Sequence, residues 1–249
     1  MTSEWTGRVV CPAFAGRWEM RSLMICILTV LACAAHALGF DVVIDGLLEE
    51  SIYTKVTALE GEISSLYLVP VSDGLYIGAE VEDANINVGN PQEFWDGSCV
   101  EIWLDWANDD SPAFDENDQQ FWFCPVKGKG DEGYAGQWHR AADNIPATMY
   151  DYANESDMID MAFVVDKDGY IIEARIAKEA MKGYTPTGII GFTYSADKGS
   201  VKYEWEKAGL GGNFYELPNL WPDLEISEVL AVQPGGKLSV LWGGVKAAP

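Results

Sequence analysis

The sequence predicts an all-β fold, a two-sheet antiparallel β-sandwich of jelly-roll or immunoglobulin-like form with one short helix. Three observations lead there. Short β-type runs recur along the chain with turn clusters between them. The apolar pattern within these runs alternates with period two, and a helical period is scarce. Hydrophobic residues make up 48% of the 249 residues, enough to fill a core between two packed sheets.

The runs fall at 41–44, 63–71, 74–81, 99–106, 120–124, 158–165, 169–176, 189–195, 201–205, 224–230 and 237–241. Leu75, Ile77 and Ala79 face one way while Tyr76 and Gly78 face the other. Ser72-Asp73-Gly74 and Asp166-Lys167-Asp168-Gly169 carry hairpin-turn chemistry. A short helix is expected around 178–181. In the run at 99–106, parity places Val100, Ile102 and Leu104 on the core face, with Phe121 and Phe123 beside them from the next run. The opposite face then carries Cys99, Glu101, Trp103 and Asp105, beside Gln120, Trp122 and Cys124. Pro125 should end the second run, because it has no N–H to give a central ladder.

The charge is lopsided: 39 acidic residues against 16 basic ones give a formal net charge of −23. Nucleic acid and anionic membrane both require a basic footprint, so neither is a fitting partner. A neutral glycan or a divalent cation is. Near the N-terminus, Met20-Arg21 precedes an apolar stretch over 23–35 that ends in Ala35-His36-Ala37. This reads as a secretory signal peptide over 1–37 with Met20 as the true start, or else with a long leading region, and implies a secreted or periplasmic location. Val30-Leu31-Ala32-Cys33 also resembles a lipoprotein box, although Leu31 suits its position poorly. Removal of 1–37 leaves a domain at 38–249 that retains Cys99 and Cys124. These two share a face on neighbouring runs, so a disulfide is feasible, and two buried free thiols are the other reading.

Glu101 stands in an otherwise apolar or aromatic run, and a buried carboxylate there needs a metal, a base or ligand hydroxyls. Trp95 precedes the same run in Phe94-Trp95-Asp96-Gly97. An indole at a loop tip beside an acid suits a pyranose, which stacks its C–H face on the ring and hydrogen-bonds through its hydroxyls. The plainer reading is that Trp95 caps the core and Glu101 pairs with a lysine.

Five segments in order resemble family-nine carbohydrate-binding modules, sugar-binding sandwiches related to the wider dopamine-monooxygenase N-terminal-like (DOMON-like) domains. They are Ile44-Asp45-Gly46 leading to Tyr53, Gly74-Leu75-Tyr76-Ile77-Gly78-Ala79 leading to Glu82-Asp83, and Trp95 through Val100-Glu101-Ile102-Trp103-Leu104-Asp105. Asp115 through Phe121 and Gly169-Tyr170-Ile171-Ile172-Glu173-Ala174 complete the set. The resemblance implies a non-catalytic domain that grips a sugar or glycan end and serves carbohydrate catabolism, with xylan and cellulose as candidate polymers. By the same resemblance Trp95 and Tyr215 are the stacking rings, Glu101 is the hydrogen-bonding acid, and Asn213 and Trp122 are further contacts. Ser98 departs from the family's aspartate, and Trp122 stands where a basic residue can occur. The family also carries structural calcium (Ca2+). Asp83, Asp115 and Asp118, in the loops that also hold Asn85, Asn87, Asn108, Asp109, Asp110 and Asn117, are the candidate ligands.

Two rivals remain. Some sandwich relatives carry electrons on haem, for which His139 with Met149, Met158 or Met161 would be the ligands. A scaffold that has lost its ligand is the other. Intrinsic glycoside hydrolysis would need two carboxylates about 5–9.5 Å apart across a scissile bond. The run at 99–106 supplies one well-placed acid.

Overall fold

A computed structural model describes residues 42–87, 91–126, 133–138, 148–151, 158–205 and 214–229. The predicted signal segment, Cys33, Asp41, His139, Asn213 and the run at 237–241 lie outside the described residues, and so do the side chains of 91–93, 138 and 148–151.

The described strands are β1 (Leu59–Glu60), β2 (Ser64–Val71), β3 (Gly74–Glu82), β4 (Cys99–Asp105), β5 (Asp118–Pro125), β6 (Gly133–Trp138), β7 (Thr148–Asp151), β8 (Ile159–Val165), β9 (Gly169–Ala177), β10 (Gly188–Lys198), β11 (Val201–Glu204) and β12 (Asp223–Ile226). They form two sheets. One has the order β1-β2-β3-β9-β8; the other runs β11-β10-β4-β5-β6-β7, with β12 pairing the first part of β10. The pairings are antiparallel, so the chain is the two-sheet sandwich its alternation predicts.

The core between the sheets takes the expected alternate residues. Leu75, Ile77 and Ala79 from β3 meet Val100, Ile102 and Leu104 from β4, with Phe121 and Phe123 from β5 and Phe192 and Tyr194 from β10. Helical structure among the described residues is confined to short 3-10 turns. The expected helix at 178–181 is one of these, Lys178–Ala180, because Met181 already returns to extended backbone.

Three strands escape a sequence reading, and β6 shows why. Gly133-Tyr134-Ala135-Gly136 looks like a turn, yet its glycines are there to admit rings. A Cβ on Gly133 would lie 2.2 Å from the Phe163 ring, and one on Gly136 2.0 Å from the Trp122 ring. Pro125 does not end its strand one residue early: it is the last residue of β5, paired with Gly133.

The stretch at 42–44 is not a strand. The segment after it instead caps the outer face of the five-stranded sheet. Glu173, fully buried on β9, accepts the backbone N–H of Asp45 at 2.9 Å and of Gly46 at 3.0 Å, and the hydroxyl of Tyr53 at 2.9 Å. Gly46 has φ +84° and sits 3.0 Å, measured from a Cβ built on it, from the backbone of Phe163. The first and last of the five quoted segments therefore hold each other.

Candidate functional site

The outer face of the larger sheet concentrates polar chemistry. The β4–β5 register sets Glu101 opposite Trp122 and Trp103 opposite Gln120. The β4–β10 register sets Ser195 opposite Glu101, Thr193 opposite Trp103 and Asp197 opposite Cys99. Lys202 on β11 lies opposite Asp197. Opposed residues in a ladder share a face, so these side chains form one layer.

At its centre Lys202 bridges two carboxylates. Its Nζ contacts Glu101 Oε1 and lies 2.7 Å from Asp197 Oδ2. Gln120 Nε2 donates to Glu101 Oε2 at 2.6 Å, and Ser195 Oγ donates to Asp197 Oδ1 at 2.9 Å. Glu101 is 2% exposed and Asp197 is fully buried, while the Lys202 side chain keeps a quarter of its surface. Burial disfavours the Lys202 ammonium, but the charges of Glu101 and Asp197 outweigh it and raise its pKa. Burial, followed by the charge of Glu101, pushes the Asp197 carboxyl well above its usual range, and Lys202 opposes that rise. The buried acid therefore does have a lysine partner. Glu101 and Asp197 together hold Lys202, whose side chain keeps the exposed quarter of the cluster's surface.

Aromatic groups flank this centre on both sides. Phe94 stacks on Trp122 with centroids 4.1 Å apart and planes at 6°, and Trp95 meets Phe94 edge-on at 5.0 Å. Trp95 is 41% exposed, among the most exposed large apolar side chains. On the other side Lys202 Nζ lies 5.9 Å from the Trp103 ring centroid. Trp103 meets Phe214 at 5.1 Å, and Phe214 meets the half-buried Tyr215 at 5.8 Å. Trp103 Nε1, Trp122 Nε1 and Thr193 Oγ1 on this layer are buried without a hydrogen-bond partner within the described residues.

The residues singled out from sequence therefore fare differently. Trp95, Glu101 and Tyr215 belong to one face. Trp122 belongs to it as well, but at 1% exposure, beneath Phe94, it is a support and not a contact surface. Gln120 was placed on this face by parity without its bond to Glu101, and Lys202 and Asp197 were missed. The alternation of 201–205 was visible, but which residues it would face depends on the pairing of distant strands.

Asp83, Asp115 and Asp118 do not converge on one another among the described residues. Asp83 accepts Ser98 Oγ at 2.6 Å and Asn85 N at 3.0 Å. Ser98 also accepts Asn87 N at 2.9 Å, so this departure from the family pattern braces the loop entering β4. Asp115 and Asp118 close the turn before β5, with Asp115 N donating to Asp118 Oδ2 at 2.6 Å. Among the described residues, three carboxylates converge elsewhere: ligand oxygens of Asp45, Glu50 and Glu173 lie within 4.8 Å of one another. Glu50 Oε2 is buried there without a hydrogen-bond partner among the described residues, as is Asp118 Oδ1 in the turn before β5. Of the haem candidates, Met161 is buried in the apolar core and Met158 is 38% exposed.

Fold and face together describe a sandwich domain that presents a charged, hydrogen-bonding strip between aromatic groups. The family model described as carbohydrate family 9 binding domain-like matches residues 50–208, and the chain belongs to that family. Two solved structures from Caldicellulosiruptor kristjanssonii are similar. One is a carbohydrate binding module family 9 in complex with cellotriose, at 20% identity and TM-score 0.53, covering 78% of this chain and 96% of that one. The other is such a module in complex with glucose, at 21% identity and TM-score 0.52, covering 76% and 93%. At that identity they speak for the fold. No curated protein matches the chain.

Proposed function

We propose that this chain is a non-catalytic carbohydrate-binding domain that takes a sugar end on the outer face of the larger sheet. The observation carrying this is the Lys202–Glu101–Asp197 cluster set between an exposed indole, Trp95, and the Phe214–Tyr215 pair. A pyranose ring has an apolar C–H face for an aromatic platform and hydroxyls that both donate and accept. Lys202 is the partly exposed member of the cluster and would be its donor to a sugar hydroxyl, with the two carboxylates fixing its position. Family membership supports the same ligand class, as do the cellotriose and glucose bound in the two similar structures.

The signal segment read at 1–37 supports a place outside the cytoplasm, where polysaccharide is met, and a role in its catabolism beside separate hydrolases. Calcium, which the family resemblance implies, would be held by Asp45, Glu50 and Glu173. There it would tie the segment before Tyr53 to β9, a structural task far from the sugar face.

Affinity electrophoresis through xylan and soluble cellulose, with titration calorimetry against glucose and cello-oligosaccharides, tests the reading. Retardation by a polymer together with heat from its oligomers is the expected result. Free migration in both gels with no heat from any oligomer refutes it.

A further inference from the structure

Cys99 and Cys124 are the two thiols among the described residues, and neither is bonded in the structure. The register that sets Val100 opposite Phe123 sets Cys99 opposite Cys124 one step further along. Directly opposed residues in antiparallel strands have Cα atoms about 4.5–5.5 Å apart, inside the span a disulfide bridges. Their side chains share the outer face, and the two sulfurs lie 2.9 Å apart. Both are shut in, at 0% and 1% exposure, with Phe94, Trp122 and Tyr134 packed around them.

We propose that Cys99 and Cys124 form a cross-strand disulfide when the chain folds under oxidising conditions, stapling β4 to β5 beneath the Phe94–Trp122 stack. The bond would lie two residues from Glu101, under the aromatic group that carries Trp95. The chemistry is thiol–disulfide exchange with a disulfide oxidant, either glutathione disulfide or an oxidised protein dithiol. One cysteine thiolate attacks a sulfur of the oxidant, forming a mixed disulfide and expelling a thiolate. The second cysteine then attacks the mixed disulfide, and the oxidant's other half leaves. In sum two thiols lose two electrons and two protons, and the oxidant's disulfide gains them. Burial, followed by contact with the Cys124 thiol, holds the Cys99 thiol in its neutral form once the fold has closed. The exchange therefore precedes closure of the strands, and a small reductant does not reach the finished bond.

The test does not depend on any sugar. The full chain is reduced, denatured and refolded in mixed oxidised and reduced glutathione, then alkylated under denaturing conditions. Trypsin is uninformative because residues 56–126 contain no Lys or Arg, so an unreduced digest is made with a protease that cuts at acidic residues. A linked pair of peptides carrying Cys99 and Cys124 is expected. The oxidised protein should melt about 10 °C above protein refolded in dithiothreitol, the size expected for closing a loop of roughly 25 residues. Alkylation at both cysteines overturns the proposal, as does a link from either to Cys11, Cys26 or Cys33. Equal melting temperatures with the linked peptides present overturn the staple.

Discussion

Replacing Trp95 by alanine separates a binding platform from a core residue, and the structure sets the size of both effects. Trp95 is 41% exposed. Of a side-chain surface of about 250 Å², that leaves about 100 Å² for a ligand to cover. At about 25 cal/mol per Å², full coverage contributes about 2.5 kcal/mol and coverage of one ring face about half that, which predicts a loss of about ten- to sixtyfold in affinity. The stability cost is small, because the ring contact described for the indole is the edge-on meeting with Phe94. Such a pair is worth about 1 kcal/mol, or about 2–4 °C in a unit of this size. Trp122→Ala is the control. That indole is 1% exposed and stacked under Phe94, so its removal should cost about 3–5 kcal/mol, or about 6–20 °C. Calorimetry with a cello-oligosaccharide and a thermal melt of each variant give both numbers. Affinity of Trp95→Ala within twofold of the parent would remove the indole from the site. A melt as depressed as that of Trp122→Ala would make it core.

Lys202→Met leaves Glu101 and Asp197 together without their cation, and should cost about 2–3 kcal/mol, discounted for the partly exposed side chain. The loss should grow with pH. Asp197 has a raised pKa in the fold, so its contribution is whole below the unfolded carboxylate range and disappears as pH climbs through the raised value. Urea melts at pH 5 and 8 that show equal losses would contradict this. Asp118 is pushed up to about 7 by burial and then by the charges of Asp105, Asp115 and Asp109. Stability from this group is therefore present below about pH 4 and lost as pH rises to about 7, so Asp118→Asn should gain about 1–3 kcal/mol at pH 8 and little at pH 4. The same stability at both pH values, relative to the parent, would dispose of that account. Saturating calcium should raise the melting temperature by several degrees through mass action, and Glu50→Gln should abolish the rise. An unchanged melt of the parent would count against a cation at Asp45, Glu50 and Glu173.

Much of the fold was legible because alternation is a local property. Leu75, Ile77, Val100, Ile102, Phe121 and Phe123 declared their core face by parity, and the turns at Ser72-Asp73 and Asp166–Gly169 by composition. β6 was not legible, because its glycines answer to the rings of Phe163 and Trp122, which come from other strands. Of the candidate site, Trp95, Glu101 and Tyr215 could be found through the order of quoted segments. A lysine partner for Glu101 was one of the readings open, but which lysine was not legible, because a carboxylate among apolar residues announces only that it needs a partner.

The amino-acid order alone determined two faces for each strand, hence a sandwich, and it put the indole of Trp95 shortly before the acid Glu101 in the chain. Only the tertiary structure decided that β11 pairs β10 so that Lys202 falls across Glu101 and Asp197. It alone buried Trp122, left Trp95 partly in solvent, and set Asp83 against Ser98 while Asp115 and Asp118 close a separate turn. The reason is physical: which face a residue takes depends on its neighbours along the chain, but which partner it meets depends on strands a hundred residues away.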